Sequence, residues 1–188
     1  MSLIGFDCGP GNALMDGWCL AHTGAAFDDA GTWAASGQVN GALLETLLSE
    51  PFFQKLPPKS TGRDLFNSAW LAQHLNAATS IKPVDVQATL TELTALSCAR
   101  SIKAALPDCT SLVVCGGGAH NTHLMVRLQN ALPCASVVSS STLGLPPTQV
   151  EATAFAWLAQ QAVMRVPSGI KSVTGARGAR ILGAIYAA

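Results

Sequence analysis

An α/β fold is what this sequence predicts, on three observations. Short apolar runs stop at glycine turns, stretches of helical periodicity follow those turns, and the composition can fill one core. In 188 residues, 49% are hydrophobic and only 12% are charged, a balance that buries a full core within a single domain and argues against disorder. Strands alternating with helices favour a layered α/β arrangement over a helical bundle.

The elements follow in order along the chain. Leu3–Phe6 reads as a short strand running into the turn Asp7-Cys8-Gly9-Pro10-Gly11-Asn12, and Ala13–Leu20 as the helix that this turn opens. Gly24 to Gly37 is small and polar. Val39–Leu48 is a helix with Val39, Leu43, Leu44, Leu47 and Leu48 on one face, ended by Pro51. A loop from Pro57 to Arg63 precedes a helix carrying Leu65, Phe66, Ala69, Trp70 and Leu71. Asp85 is suited to cap a long helix whose apolar positions Val86, Leu90, Leu93, Leu96, Ile102 and Leu106 keep a helical period up to Pro107. Leu112–Cys115 is a continuous apolar run that stops at three glycines, as a buried parallel strand feeding a binding loop does. Thr122–Leu132 is a helix with Leu124, Met125, Leu128 and Leu132 inward. Val137-Val138 is another strand, Val150–Val163 another helix, and Ile181–Ile185 a closing strand or helical segment. Residues 1 to 3 fit an added leader on a fragment, because Met1-Ser2-Leu3 runs straight into the first apolar run.

Charge and cysteine content narrow the function. Eleven basic residues balance eleven acidic ones, so no overall field exists to hold a nucleic acid or an anionic membrane. The six cysteines include no C-x-x-C pair and read as free thiols of a reduced, cytoplasmic protein. No apolar stretch reaches the roughly 18 residues that span a bilayer. A neutral or small anionic ligand fits best.

Two turns carry chemistry. In Phe6-Asp7-Cys8-Gly9-Pro10-Gly11-Asn12, the glycines let backbone approach a ligand, the N–H groups at a helix start suit a phosphate, and Asp7 offers a carboxylate. A tight turn with a capping aspartate is the plain alternative. In Cys115-Gly116-Gly117-Gly118-Ala119-His120-Asn121, three successive glycines are costly to order and make sense where a flat nucleoside lies on bare backbone. A strand–helix turn with Asn121 as N-cap is the plain alternative there.

These turns, with Leu143-Gly144-Leu145-Pro146-Pro147-Thr148-Gln149-Val150-Glu151-Ala152, resemble the phosphate, adenosine and connecting motifs of actin-like ATPases and sugar kinases. More narrowly, FDCGPGNALMD, PPKSTGRDLFN, DVQATLTELTA, VCGGGAHN, LGLPP-x-x-VEA-x-AFAWLA and VTGA-x-G-x-R-x-LGAIY, in one order from Gly5 to Tyr186, resemble the anhydro-N-acetylmuramic acid kinase family. The resemblance implies an RNase H-like (actin-type ATPase) domain with additional helices, residues 1–188 forming the C-terminal nucleotide-binding lobe of a two-lobe cytoplasmic kinase. It implies ATP and Mg2+ as cofactors and a small amino-sugar as substrate, in peptidoglycan recycling, and it allows a homodimer. Water opens the 1,6-anhydro bridge while the sugar's 6-oxygen takes the γ-phosphoryl group. Asp7 matches the catalytic base and Glu151 the second acidic position. Gly9, Gly11 and Asn12 match the phosphate contacts, Gly116, Gly117 and Gly118 the adenosine contacts, and His120 and Asn121 belong to the same set. The metal ligands stay unassigned.

Cys8 departs from the family's usual threonine, and a thiol is the poorer hydrogen-bond partner. The family's N-terminal lobe with its loop G-T-S-x-D-G does not occur here, so the chain alone is expected to be inactive. Rival readings are another sugar or acyl kinase of the superfamily and a non-catalytic nucleotide-binding assembly module. Lys59-Ser60-Thr61-Gly62 lacks the upstream glycine of a P-loop and reads as a surface loop. His120 and His123 lack the partners of a zinc site, and Trp18, Trp33, Trp70 and Trp157 read as core anchors.

Overall fold

The computed structural model describes residues 3–75 and 81–186. It is mostly helical, with a small parallel sheet. The first third holds α1 (Ala13–Thr23), a 3-10 turn at Asp29–Gly31, α2 (Thr32–Ala35), α3 (Gly41–Leu48), α4 (Pro51–Gln54) and α5 (Ser68–Leu75). Then come α6 (Pro83–Ala105), β1 (Ser111–Val114), a 3-10 turn at Gly117–His120, α7 (Thr122–Ala131) and β2 (Ser136–Ser139). Two 3-10 turns lead into α8 (Val150–Val163), and α9 (Lys171–Thr174) is the last helix among the described residues.

Helix α6 is the axis. Pro83 stands in its first turn, where a missing N–H costs nothing and the fixed φ is already helical. Lys82 is therefore the N-cap and Asp85 is not. The Asp85 carboxylate lies in the first turn and accepts a hydrogen bond from the backbone N–H of Gln38 at 2.8 Å. Helices α1, α2, α3 and α7 pack around α6, and every residue from Val86 to Ala95 is buried. The amphipathic period thus understates its burial. The buried threonines are satisfied by backbone: Thr91 donates to the Gln87 carbonyl at 3.0 Å, and Thr89 accepts from the Asn40 N–H at 2.9 Å. The Gln87 amide nitrogen reaches Asp28, while its Oε1 has no hydrogen-bond partner among the described residues. The core adds Leu14, Met15, Leu43, Leu47, Phe66, Trp70, Leu124 and Leu128.

Strands β1 and β2 pair in parallel, Leu112 opposite Val137 and Val113 opposite Val138, with α7 as the crossover. This β1–α7–β2 unit needs a connection of its length because parallel neighbours cannot share a tight hairpin. The expectation of a buried strand is corrected: Val113 is 41% exposed, because among the described residues only β2 flanks β1, and the strand presents one face to the core through Leu112 and Val114.

Other expectations change too. Leu3–Phe6 is extended but pairs with no strand among the described residues; Gly5 packs on Val173 and the Leu3 carbonyl accepts from Ser172. Pro51 begins α4 as a first-turn proline, and α3 has already ended at Leu48. The Val39 and Leu106 side chains are exposed. Ile181–Ile185 forms neither strand nor helix. Trp70 is buried and Trp18 packs on the core, whereas Trp157 is half exposed on α8.

Candidate functional site

Both glycine turns meet at one side chain. Asn12 occupies the N-cap position of α1 with φ of −83°, yet its side chain makes no capping hydrogen bond. Instead its amide lies over the second turn: a Cβ at Gly118 would come to 3.1 Å from Asn12 Oδ1, and one at Gly117 to 3.6 Å from Asn12 Nδ2. The first turn is fastened from behind, since the Thr94 hydroxyl on α6 donates to the Gly11 carbonyl at 2.9 Å. The third motif joins through its proline, the Gly116 N–H donating to the Pro147 carbonyl at 3.0 Å.

Conformation separates the glycines by task. Gly11 (φ +55°) and Gly116 (φ +77°) are left-handed and nothing lies within 4 Å of where their Cβ would stand, so a side chain is excluded by backbone preference and the space above them is open. Gly9 is different: a Cβ there would meet Ser97 Oγ at 2.8 Å and Phe53 at 3.0 Å. It is the close contact of the turn with α6, and its small size serves packing.

Asn12, Gly117, His120 and Asn121 line one cavity of about 490 Å³. Asn121 also caps α7, its Oδ1 accepting from the Leu124 N–H at 2.9 Å, so the plain reading of that residue holds alongside its place in the cavity wall. The far wall is a loop that the motif search passed over, with Phe27, Asp28, Asp29 and Ala30. Gly31 behind it approaches Asn121 so closely that a Cβ would lie 2.2 Å from Oδ1, at a φ of +71°. Asp28 is buried and spent on structure, its two carboxylate oxygens accepting from the Trp33 and Ala34 N–H groups at 2.9 Å each. Asp16 also lines the cavity, and burial pushes its carboxyl above the ordinary range while Arg63 opposes that shift. The only signal for this wall in the sequence was a run of two aspartates before a glycine, which reads as an ordinary turn.

Asp7 is exposed, and its partner is the loop that resembled a failed P-loop. Its Oδ2 accepts from the Thr61 N–H at 2.8 Å, and its own N–H donates to the Lys59 carbonyl at 3.1 Å. Asp7 therefore does not cap α1. The Pro57–Arg63 loop is what orients it. Glu151 is exposed in the first turn of α8, and neither it nor Asp7 is among the residues lining the cavity.

Cys8 faces α6. The Cys98 thiol, hydrogen-bonding to Cys8, and then Ser101 and Lys59 outweigh burial and Asp7 and bring the Cys8 pKa from its ordinary 9.0 down to about 6, while the Cys98 pKa is pushed up by the same contact and by burial. Burial lowers the His123 pKa, with Arg127 acting in the same direction. Among the described residues no group of three or more His, Cys, Asp or Glu side chains is placed to hold a metal, and no helix is long and apolar enough to cross a membrane.

Comparison with known proteins decides the family. Residues 1–188 match the family model for anhydro-N-acetylmuramic acid kinase. The chain belongs to that family. It is 61% identical over 186 residues to the anhydro-N-acetylmuramic acid kinase of Albidiferax ferrireducens, covering 99% of this chain and 48% of that protein. It is 57% identical over 187 residues to the protein of the same name from Variovorax paradoxus, covering 100% and 50%. The namesake from Ralstonia nicotianae is 56% identical, covering 99% and 49%. The chain thus spans about half the length of the curated relatives it matches. These shares do not support the narrower expectation of a C-terminal half.

Proposed function

We propose that this chain supplies the nucleotide-contact surface of an ATP-dependent kinase that acts on 1,6-anhydro-N-acetylmuramic acid. The observation that carries the reading is the convergence of Asn12, Gly117, His120 and Asn121 on one cavity, in a chain whose relatives bear that enzyme's name. The open space above Gly11 and Gly116 is of the kind a phosphate or a nucleoside fills. The carboxylates of Asp16 on α1 and of Asp28 and Asp29 on the far wall disfavour bare phosphates there, so the adenosine occupies the cavity and the phosphates point toward the Gly11 turn. Mg2+ binds through phosphate oxygens with only one or two carboxylates, so it requires no preformed cluster of protein ligands. An RNase H-like lobe is part of the same proposal, with β1–α7–β2 as its βαβ piece.

In the reaction, water attacks the anomeric carbon, the bond to the bridging oxygen breaks, and that oxygen, the sugar's O6, takes the γ-phosphoryl group. N-acetylmuramic acid 6-phosphate and ADP leave. Asp7 takes the water's proton; its exposed carboxylate, oriented by the Thr61 N–H, is free on its other oxygen to do so. Glu151 takes part in holding the water or sugar once the complementary half of the relatives' length is present. The 188 residues alone should show no turnover, and joining the complementary half should restore it. In that longer protein Asp7→Asn keeps the Thr61 contact but cannot accept a proton, so kcat should fall by about 10² to 10⁴ with little change in substrate affinity. Turnover above about a third of wild type would remove Asp7 from the mechanism.

A further inference from the structure

The Cys8 to Gly11 turn runs along one face of α6. Thr94 hydrogen-bonds to Gly11, Ser97 touches Gly9, and Cys98 and Ser101 reach Cys8. Residues 94, 97, 98 and 101 are spaced as one helix face, so Cys8 meets Cys98 because the whole turn is laid antiparallel on that face. A cavity of about 410 Å³, lined by Phe6, Phe53, Lys59, Ser97 and Ser101 but by neither sulfur, opens beside the turn. Both thiols are free and only partly buried. The catalytic proposal uses neither sulfur.

We propose that Cys8 and Cys98 form a reversible disulfide, closed by a peroxide-class oxidant, which clamps the Asp7–Asn12 turn to α6. The Cys8 sulfur attacks one peroxide oxygen, the O–O bond breaks, and a sulfenic acid and one water result. The Cys98 sulfur then attacks the Cys8 sulfur and expels the hydroxyl as a second water. Both thiol protons end in water, the two sulfurs lose two electrons in total, and the peroxide gains them. Cys8 is the attacking thiol because it is the one held as thiolate near neutral pH by Cys98, Ser101 and Lys59. A dithiol reductant reverses the bond. This device is independent of what the nucleotide cavity binds.

The test is peptide mapping of the full chain. Reduced protein is treated with hydrogen peroxide at equimolar dose, alkylated with N-ethylmaleimide in denaturant, digested and analysed by mass spectrometry, keeping the monomer fraction. The expected result is loss of two alkylatable thiols and a peptide pair joined through Cys8 and Cys98, both restored by dithiothreitol. In Cys98→Ser the joined pair should vanish, and dimedone should label Cys8 as the stranded sulfenic acid. Cys8 and Cys98 both staying alkylatable, Cys8 joined instead to Cys19 or Cys109, or dimedone labelling of Cys8 as strong in wild type as in Cys98→Ser would each overturn the proposal.

Discussion

Helices α6 and α8 invert the usual relation between composition and burial. Helix α6 carries Gln87, Thr89, Thr91, Glu92 and Thr94 in its middle, and all five are buried. Helix α8, Val-Glu-Ala-Thr-Ala-Phe-Ala-Trp-Leu-Ala-Gln-Gln-Ala-Val, has one charged residue and no buried one; Phe155 is 63% exposed. What decides burial is the neighbourhood. Helix α6 is enclosed by α1, α2, α3 and α7, its threonine hydroxyls are tied to backbone and the Gln87 amide nitrogen to Asp28, with Gln87 Oε1 left as the exception, whereas α8 touches chiefly the turn that precedes it. A polar side chain tolerates burial once its hydrogen bonds are made, and an apolar one is not buried until something covers it.

That contrast should show first in stability. Leu93, fully buried on α6, should cost about 2–5 kcal/mol when truncated to alanine, through lost transfer energy and the cavity left behind. Phe155→Ala on α8 should cost no more than about 0.5 kcal/mol in the isolated chain. Urea unfolding of the two variants measures both; comparable losses would mean that α8 is packed as firmly as α6.

The wall of the cavity beside Gly117 sharpens the comparison at smaller scale. Gly31→Ala places a methyl group against Asn121 at a left-handed φ and should destabilise by about 1–3 kcal/mol, detected as a lowered Tm. Asn121→Ala removes only the α7 cap and should cost about 1 kcal/mol. If Gly31→Ala is the milder of the two, the loop and α7 do not touch as described.

A further effect is one of pH. The Cys8 pKa is about 6 in the folded chain against an ordinary 9.0. A depressed acid adds stability that is present above its unfolded pKa and is lost as pH falls through the folded one. Under reductant, the stability difference between wild type and Cys8→Ser should therefore widen as pH rises from about 6 to about 9. A difference constant across that window would place Cys8 in an ordinary environment.

Much of the helical layout was legible because caps and prolines act locally. Asn121 before Thr122, the α8 bounds Val150–Val163, and the parallel strands on either side of α7 all follow from nearest-neighbour chemistry. The misplaced features depend on partners far away in the chain. The apolar run Leu3–Phe6 reads as a strand, but a strand exists only with a neighbour to pair with, and this one meets Ser172 and Val173. The Lys59–Gly62 loop looked incidental until it held Asp7, and the Phe27–Gly31 wall carries no motif because its job is set by the shape of Asn121. Of the eight residues expected to contact nucleotide, Asn12, Gly117, His120 and Asn121 line the cavity, Gly11 and Gly116 border open space, Gly118 sits against Asn12 and Leu124, and Gly9 instead packs on α6.

The central claim is that the cavity beside Gly117 receives the nucleoside. Gly117 has ordinary backbone angles for a side chain, and a Cβ there would find only Asn12 Nδ2, at 3.6 Å, so Gly117→Val should fold and place its branches in the cavity. Isothermal titration of ATP with Mg2+ into the protein joined to its complementary half should show affinity weaker by tenfold or more, about 1.4 kcal/mol. Unchanged ATP affinity in a variant of unchanged Tm would contradict the claim and move the nucleotide elsewhere.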